Sequence, residues 1–256
     1  MNSIEDLQFI QAVSKNAPLG LHSKILLGNL NVAGIPFFDL YQECMAKTNT
    51  GCPDWKVLRR AQRAFHLGRY VEYAAKLPGN MIECGVFGGF SSLMSCKILS
   101  QLSPEFNGEG FYLCDSFEGL SQPLERDLVK VVESNGIVKK YSSHKQGHFA
   151  VDYATVSGRF SEYPGVTLLK GWIPEVFAKL PESKWSYVHI DVDLYDPTMA
   201  CLNYFYPRMT KGGVILNDDF DSPMFPGGRK SWIDFFEPMG LSYVVLDSGQ
   251  SVYIKT

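Results

Sequence analysis

From residue 80 onward, short apolar runs alternate with longer stretches in which apolar residues recur every three or four positions. Short apolar runs predict strands, and the periodic stretches predict helices. The predicted strands are Met81–Cys84, Gly110–Ser116, Val166–Leu169, Ser186–Val192, Gly213–Asn217, Tyr243–Asp247 and Ser251–Lys255. The predicted helices are Phe90–Leu102, Ala150–Phe160, Ile173–Leu180, Pro197–Met209 and Arg229–Pro238. This alternation predicts an α/β fold with a mostly parallel, seven-stranded sheet, whose last two strands lie close enough together to form an antiparallel hairpin.

The first part of the chain, residues 1–78, lacks this alternation. Asp54–Lys76 carries apolar residues at helical spacing with arginines between them, which predicts an amphipathic helix that ends at Pro78-Gly79. Lys24–Phe38 is apolar and punctuated by glycine, as expected of a docking arm or lid. We therefore expect an N-terminal helical segment, residues 1–78, followed by one α/β domain, residues 79–256.

One stretch inside the α/β part, Ser121–Gly147, is polar, charged and poorly periodic. Loops of this length in a compact domain are usually functional or disordered. It follows the second predicted strand, whose end should border a ligand. We therefore interpret it as part of a mobile cover or as a solvated loop.

Composition excludes some classes of function. The chain of 256 residues has a net charge of −3, without the basic face that nucleic acids or anionic membranes require. No apolar run approaches the roughly 18 residues of a membrane span, and the polar start of the chain does not resemble a signal peptide. Its six cysteines form no C-x-x-C pair. We therefore expect a cytoplasmic protein with reduced thiols and without nucleic-acid or membrane partners.

A glycine-rich turn, Gly85-Val86-Phe87-Gly88-Gly89, joins the first predicted strand to the first predicted helix. Glycine lets the backbone approach a ligand closely. The spacing differs from the G-x-G-x-x-G of dinucleotide loops. Glu83, two residues before the turn, suits a cationic ligand that carries an amino group and a sulfonium better than a pyrophosphate. The alternative is a tight strand–helix turn without a ligand.

Two further positions are candidates for contact with a nucleoside. Asp115 ends the second predicted strand, where Rossmann-like folds hydrogen-bond ribose hydroxyls, although an aspartate there can also cap a strand–loop junction. The glycine turn nearby favours the ribose role. Trp172 follows Lys170-Gly171. Two interpretations are open for it: its ring flanks an adenine, or it packs in the core.

Two acidic clusters, Asp191-Val192-Asp193 and Asp218-Asp219, each end a predicted strand. Parallel strands place their carboxyl ends at one edge of the sheet, so these carboxylates should lie close together. Apposed carboxylates need a cation, and hard oxygen ligands select Mg²⁺, Ca²⁺ or Mn²⁺. Helix capping and surface turns are the alternative. Asp193 shares a strand face with Asp191 by alternation, but the chain leaves the sheet near Val192, so its role stays open. His189 fits a packed core histidine better than a base.

At these positions the chain resembles the macrocin O-methyltransferase (TylF-like) family, from roughly Thr48 to the C-terminus. The matching motifs are Pro78-Gly79-Asn80, Glu83-Cys84-Gly85-Val86, Asp115-Ser116-Phe117-Glu118-Gly119-Leu120, Lys170-Gly171-Trp172, Asp191-Val192-Asp193-Leu194-Tyr195, Gly212-Gly213 through Asp218-Asp219, and Pro226-Gly227-Gly228-Arg229. The glycine-rich turn of this chain differs from the family's usual turn. Phe87 stands where the family has a tryptophan, and Gly88 stands where it has a basic residue. A parallel sheet that ends in an antiparallel hairpin is also the outline of the Rossmann-like class I methyltransferase fold.

The resemblance implies transfer of a methyl group from S-adenosylmethionine to a hydroxyl, commonly on a sugar of a glycosylated natural product. It implies a divalent metal, usually Mg²⁺, held by Asp191, Asp218 and Asp219, with Asp191 as general base. The expected cofactor-binding residues are Glu83, Gly85, Val86, Phe87, Gly89, Ser91, Ser92, Asp115, Ser116, Phe117, Gly171, Trp172 and Asp191. Family members tend to be homo-oligomers, so we expect a dimer or tetramer whose N-terminal segments help to close the site.

Three alternatives stay open at this point. A metal-dependent, catechol-like aromatic O-methyltransferase would use the same cofactor and a similar acidic triad. A glycosyltransferase would explain Asp191-Val192-Asp193 as a D-x-D motif that holds a metal and a nucleotide sugar, but it gives no reason for the turn at Glu83-Cys84-Gly85. A non-catalytic ligand-binding module does not account for three apposed carboxylates.

Overall fold

A computed structural model describes residues 30–49, 57–132, 137–142 and 144–256. The strands are β1 (Asn31–Val32), β2 (Ile35–Pro36), β3 (Asn80–Cys84), β4 (Phe111–Asp115), β5 (Val129–Val132), β6 (Val138–Tyr141), β7 (Thr167–Lys170), β8 (Trp185–Ile190), β9 (Met209–Asn217), β10 (Val244–Val245) and β11 (Ser251–Ile254). The α-helices are α1 (Phe37–Thr48), α2 (Val57–Ala74), α3 (Phe90–Leu102), α4 (Tyr153–Gly158), α5 (Tyr195–Phe205) and α6 (Pro226–Phe236). Short 3₁₀ turns lie at Glu125–Asp127, Glu175–Lys179, Tyr206–Arg208 and Glu237–Met239.

Seven of these strands form one sheet in the order β7-β4-β3-β8-β9-β11-β10. The first five of that order are parallel to one another, β11 is antiparallel to β9, and β10 is antiparallel to β11. The predicted seven-stranded, mostly parallel sheet with a C-terminal antiparallel hairpin is confirmed. The carboxyl ends of β3, β4, β8 and β9 therefore meet at one edge.

Helices cover both faces of the sheet, which explains why β8 is buried along its whole length. Helices α1, α2 and α3 share a hydrophobic cluster with one face, and α5 and α6 share a second cluster with the other. Successive side chains of β3 and β8 alternate between these clusters. Ile82 and Val188 point toward α5 and α6, whereas Met81 and Tyr187 point toward the helices of the first cluster.

Helix α2 packs directly on the sheet, and the described residues before it pack on α2 and α3. Helix α2 lies within the predicted Asp54–Lys76, and residues 54–56 lie outside the described residues. Within the predicted docking arm Lys24–Phe38, residues 31–36 form the small antiparallel pair β1–β2. Residues 24–29 of the arm lie outside the described residues. The division of the chain at residue 78 and a covering role for residues 1–78 stay predictions.

Two elements differ from the sequence-based expectation. Ser121–Gly147, expected as an irregular cover or loop, contains the antiparallel hairpin β5–β6. The hairpin is hard to see in the sequence because lysines interrupt its short runs of valine. The predicted helix Ile173–Leu180 is only the 3₁₀ turn Glu175–Lys179. In the described part of the chain, every helix is too short or too polar to cross a membrane.

The core behind β8 provides a direct test of this packing. Phe205 is fully buried, and its ring lies 5.4 Å from Trp185, 5.1 Å from Phe177 and 4.9 Å from Tyr204, between ring centroids. We expect Phe205→Ala to lower the free energy of unfolding by about 3 to 5 kcal/mol, because it leaves a cavity. The exposed Met239 supplies the control, and Met239→Ala should change that free energy little. Urea denaturation measures both, and a loss below about 1 kcal/mol for Phe205→Ala would contradict the packing.

Candidate active site

The glycine turn follows β3 and lies against the chain that leaves the end of β8. Gly85 has φ +88°, and a Cβ atom at this position would overlap the backbone carbonyl oxygen of Asp191. A side chain is therefore excluded both by conformation and by space. Gly89, at φ +74°, begins α3. The turn thus places the end of β3, the start of α3 and the end of β8 around one point.

Asp115 fixes the shape of this turn from the end of β4. Its Oδ2 accepts hydrogen bonds from the backbone N–H groups of Val86, at 2.7 Å, and Phe87, at 2.9 Å. Its Oδ1 accepts one from the N–H of Phe117, at 2.7 Å. The carboxylate therefore caps the junction, and it also faces the cavity described next. The capping role and the ribose-binding role considered for Asp115 are therefore compatible.

A cavity of about 340 Å³ opens beside the turn. The residues that the sequence predicted for cofactor binding and that line its wall are Gly85, Phe87, Asp115, Ser116, Gly171, Trp172 and Asp191. Phe149, which no sequence motif singles out, also lines the wall. Its ring meets that of Phe87 edge-on at 5.7 Å. The volume and the mixed wall of aromatic rings and carboxylates suit a small organic ligand.

Other predicted cofactor residues lie behind the turn, away from the cavity wall. Glu83 is 1% exposed and accepts hydrogen bonds from the hydroxyls of Ser91 and Ser92 on α3. His189 lies opposite Glu83 in the parallel register, and its Nδ1 is 3.0 Å from Glu83 Oε1. Glu83 therefore fixes α3 and β8 to the base of the turn. Val86, Gly89 and Phe117 are likewise not part of the wall, so their contact with a cofactor stays a prediction.

Three carboxylates gather at the ends of β8 and β9. Oxygen atoms of Asp191, Asp193 and Asp219 lie within 4.8 Å of one another. Asp193 has φ +61°, a left-handed conformation that aspartate tolerates better than most residues. This bend lets its N–H donate to Asp219 Oδ2 at 2.9 Å. Strand alternation alone could not decide the place of Asp193, and the structure puts it in the cluster.

Asp218 occupies a different environment from the neighbouring Asp219. Its Oδ2 accepts a hydrogen bond from Arg63 Nη1 at 2.6 Å, and its Oδ1 accepts one from Gln250 Nε2 at 2.8 Å. His189 Nε2 lies 3.7 Å from the same Oδ1. Of the three predicted metal ligands, the structure thus groups Asp191 with Asp219 and pairs Asp218 with Arg63. Neither Arg63 nor Gln250 is recognisable from the sequence, because both lie far from Asp218 along the chain.

These environments separate the pKa values of the carboxyl groups. Burial, together with the neighbouring carboxylates, raises the pKa of Asp191 and of Asp193 well above the usual range. Burial and the charge of Asp218 raise the pKa of Asp219 to about 6. Burial would also raise the pKa of Asp218, but the charge of Arg63, together with the nearby His189, outweighs it and lowers that pKa.

The nearby imidazole of His189 is also affected by its neighbours. Burial alone would lower the pKa of His189, but Asp218 and Glu83 together raise it well above its ordinary value. A protonated His189 partly compensates the negative charge of the site.

The donor set fits a hard divalent cation. Three buried carboxylates that lie this close together are stabilised by a positive ion, and their oxygen atoms are the ligands that Mg²⁺, Ca²⁺ and Mn²⁺ prefer. The cavity, of about 340 Å³, fits S-adenosylmethionine because its wall offers acceptor oxygens of Asp115 and the ring of Trp172.

Comparison with known proteins decides the family. The model of the macrocin O-methyltransferase (TylF) family matches residues 59–246. The chain belongs to this family. It is therefore an O-methyltransferase, which excludes the D-x-D glycosyltransferase and the non-catalytic module.

Individual relatives share about a quarter of the aligned residues with this chain. Mycinamicin III 3''-O-methyltransferase of Micromonospora griseorubida is 26% identical over 199 residues, which cover 75% of each chain. The 8-demethyl-8-(2,3-dimethoxy-alpha-L-rhamnosyl)-tetracenomycin-C 4'-O-methyltransferase of Streptomyces olivaceus is 27% identical over 154 residues, 56% of this chain and 54% of that relative. The matched region thus spans about half the length of the second relative.

A solved structure shows the same fold. The calicheamicin methyltransferase CalS11 superposes with a TM-score of 0.62 at 18% identity, over 84% of this chain and 91% of that one. The class I methyltransferase fold that the sequence predicted is confirmed.

Replacing the two neighbouring aspartates should change stability in opposite directions. Because folding raises the pKa of Asp219 from 3.8 to about 6, its ionised form destabilises the fold at neutral pH. Asp219→Asn keeps an oxygen that can accept the Asp193 N–H bond. We expect it to raise the free energy of unfolding at pH 7 by about 1 to 3 kcal/mol. The gain should vanish below about pH 4, where Asp219 is protonated in both folded and unfolded chains.

Asp218→Asn is the matched control for that measurement. Its pKa is lowered in the folded protein, so ionised Asp218 contributes stability that is present above pH 3.8 and is lost as the pH falls. We expect Asp218→Asn to lower the free energy of unfolding at pH 7. Urea denaturation of both variants between pH 3.5 and 7 measures the two effects. Equal destabilisation by both substitutions at pH 7 would contradict this distribution of charge.

Proposed function

We propose that this chain transfers the methyl group of S-adenosylmethionine to a hydroxyl on a sugar of a glycosylated natural product, with the help of a divalent metal ion, Mg²⁺ first among Mg²⁺, Ca²⁺ and Mn²⁺. The observation that carries the proposal is the position of Asp191, which lines the cavity and belongs to the carboxylate cluster. A methyl donor in that cavity and an acceptor hydroxyl at that cluster would lie side by side. Family membership and the name of the rhamnosyl-tetracenomycin relative support a sugar acceptor.

The cofactor would be held by the turn from Gly85 to Gly89 and by residues on both sides of the cavity. Asp115 and Ser116 offer acceptor oxygens for ribose hydroxyls, and Trp172 offers a ring face for adenine. Glu83 would act from behind the turn, through its bonds to Ser91 and Ser92. The sulfonium of the bound cofactor makes its methyl group electrophilic.

The chain's contribution to the chemistry is to position the hydroxyl and to remove its proton. A sugar hydroxyl is a poor nucleophile until that proton leaves. We assign this step to Asp191, because it borders the cavity and belongs to the carboxylate cluster. A divalent ion bound by Asp191 and Asp219 would lower the pKa of a coordinated hydroxyl. Alignment of donor and acceptor supplies a further large part of the rate.

The oligomeric part of the proposal rests on the family alone. We infer a homo-oligomer, a dimer or tetramer, in which residues 1–78 help to close the site. Size-exclusion chromatography with light scattering measures the assembly, and a monomer at micromolar concentration would contradict it.

A panel of acceptors tests the substrate class. We expect labelled methyl groups from S-adenosylmethionine to appear on hydroxyls of glycosides, and the transfer to stop on addition of EDTA and resume with Mg²⁺. Catechols serve as the competing acceptors, since an aromatic O-methyltransferase would use the same cofactor. Methylation of catechols alone would contradict the sugar assignment, and full activity in EDTA would contradict the metal.

Asp191→Asn tests the base. We expect kcat to fall by about 10²- to 10⁴-fold, the range typical of general-base catalysis, because the amide cannot accept the proton. S-adenosylhomocysteine should still bind within about threefold of wild type by calorimetry, since Asp191 is one of several wall residues. Glu105→Gln, in the exposed turn after α3, is the control and should leave kcat unchanged. Retained full activity in Asp191→Asn would remove the base assignment.

A further inference from the structure

We propose that a group of aromatic rings beside the cavity binds the aglycone of the acceptor, and that the enzyme selects glycosides whose sugar is joined to a flat aromatic ring. These rings, called the aromatic platform below, are those of Phe87, His144, His148, Phe149 and Phe225. The inference rests on the proposed transfer to a sugar hydroxyl. It adds the class of aglycone and the residues that recognise it.

The rings of the aromatic platform contact one another in a continuous series. Phe225 stacks on His144 at 4.4 Å between ring centroids, and His144 stacks on His148 at 4.6 Å. His148 stacks on Phe149 at 4.3 Å, and Phe149 meets Phe87 edge-on at 5.7 Å. Offset stacking and edge-on contact are the arrangements that aromatic pairs prefer. The five rings therefore form one surface.

This surface is open to solvent. Phe87 is 45% exposed. His148 is exposed as well, and the other three rings are half-buried. Removal of such rings from water is favourable, so their exposure costs free energy unless another molecule covers them. A group of adjacent exposed rings at the mouth of a cavity is typical of a ligand-binding surface.

The aromatic platform extends from the cavity toward the acidic site. Phe87 and Phe149 line the cavity together with Asp191. The other three rings lie outside the cavity wall. One of them, Phe225, ends the segment that begins with Asp218-Asp219 and joins β9 to α6. An acceptor whose hydroxyl lies at Asp191 can therefore extend over Phe149 and onto Phe225.

Phe225 is held in place by the tight start of α6. A Cβ atom on Gly228 would lie 2.7 Å from the Cβ atom of Asp219. A Cβ atom on Gly227 would lie 2.6 Å from the backbone nitrogen of Tyr195. The absence of side chains at both glycines thus lets α6 begin in direct contact with the acidic site. Because Phe225 immediately precedes this turn, the distance between its ring and the acidic site is fixed by the fold.

The segment that carries the histidines and Phe149 is also fixed. The N–H of Leu120, after β4, donates to the carbonyl oxygen of His148 at 2.8 Å, and the N–H of Gly147 donates to that of Leu120 at 2.9 Å. Phe149 has φ +68°, a left-handed conformation that bulky residues rarely adopt. Backbone strain of this kind is typical of functional sites. Here it accompanies a ring that lies in the cavity wall.

The extent of the aromatic platform decides which part of the acceptor it binds. A sugar ring and one aromatic ring are similar in size, so Phe149 alone offers enough surface for the sugar that reaches Asp191. The rings outside the cavity wall are left for the group that the sugar is attached to. Flat aromatic groups gain a stacking contribution on such rings that aliphatic groups do not. An aromatic aglycone therefore fits this surface better than an aliphatic one.

A matched pair of acceptors tests the inference: the benzyl and the cyclohexylmethyl glycoside of the same sugar, the one methylated fastest in the acceptor panel. The two differ only in whether the ring of the aglycone is aromatic. We expect the KM of the wild-type enzyme to be about 3- to 10-fold lower for the benzyl glycoside, the range that one aromatic pair contributes.

Phe225→Leu removes the ring but keeps an apolar side chain. We expect the KM values for the two glycosides to agree within about twofold in this variant, because the stacking contribution is lost. The change should appear in KM more than in kcat, since the ring contacts the aglycone and not the reacting atoms. Calorimetry should show unchanged binding of S-adenosylhomocysteine, because Phe225 is not part of the cavity wall.

Two variants and one control separate aromatic recognition from other effects. Phe225→Trp and His144→Phe each keep a ring at their position and should keep the preference for the benzyl glycoside. Tyr73→Ala is the control, because Tyr73 is an exposed aromatic residue on α2 that lies against Gly212 in the first half of β9. It should leave both KM values unchanged.

The outcomes distinguish this inference from the proposed function. Equal KM values for the two glycosides in wild type, or a preference that survives Phe225→Leu, would overturn the inference and leave methyl transfer to sugars standing. A lower KM for the cyclohexylmethyl glycoside would overturn it in favour of an aliphatic aglycone. A panel in which no glycoside is methylated would remove the proposed function and the inference together. Since the wild-type comparison needs no variant, it decides the question even where circular dichroism shows that Phe225→Leu is misfolded.

Discussion

Negative charge crowds the carboxyl ends of β8 and β9, and the rest of the site is arranged around that constraint. The two strands are parallel neighbours, so aspartates that follow them cannot avoid one another. Asp191, Asp193 and Asp219 lie within reach of one another, and burial together with the neighbouring carboxylates raises the pKa of each. Arrangements of this kind cost stability and are retained where function needs them.

The protein offsets part of this charge from within. Arg63 reaches Asp218 from α2, and a protonated His189 lies between Glu83 and Asp218 on the other side. Arg63 and His189 both lie against Asp218. Among the described contacts, neither forms a hydrogen bond with Asp191, Asp193 or Asp219. The charge is therefore unevenly compensated: Asp218 is paired with Arg63, whereas Asp191, Asp193 and Asp219 have no basic partner among the described salt bridges. This unevenness distinguishes a binding site from a buried ion-pair network.

The sequence predicted the features that depend on strand order and failed where a distant or irregular contact decides the outcome. Alternating strands and helices were sufficient to place Gly85, Asp115 and Asp191 at one edge of the sheet, because parallel strands have only one carboxyl edge. Asp193 could not be placed, since its position depends on a left-handed residue just after β8. The state of Asp218 depends on Arg63, which lies 155 residues away in the chain. The sequence around an arginine on an amphipathic helix does not show which carboxylate the arginine pairs with.

Glu83 shows how register decides a role that the motif alone leaves ambiguous. The turn suggested a carboxylate for a cationic ligand, but the parallel pairing of β3 with β8 sets Glu83 opposite His189, and α3 begins close enough for two serines to reach it. Its oxygens are thereby committed to the protein, and the turn becomes a rigid part of the sheet edge. Through His189 the same contacts extend to Asp218, so the turn and the acidic cluster are held by adjoining central strands. Because strands are less mobile than loops, the separation between a methyl donor at the turn and a hydroxyl at Asp191 would be set by the sheet. The hairpin β5–β6 and other peripheral segments are then free to differ among relatives that act on different acceptors.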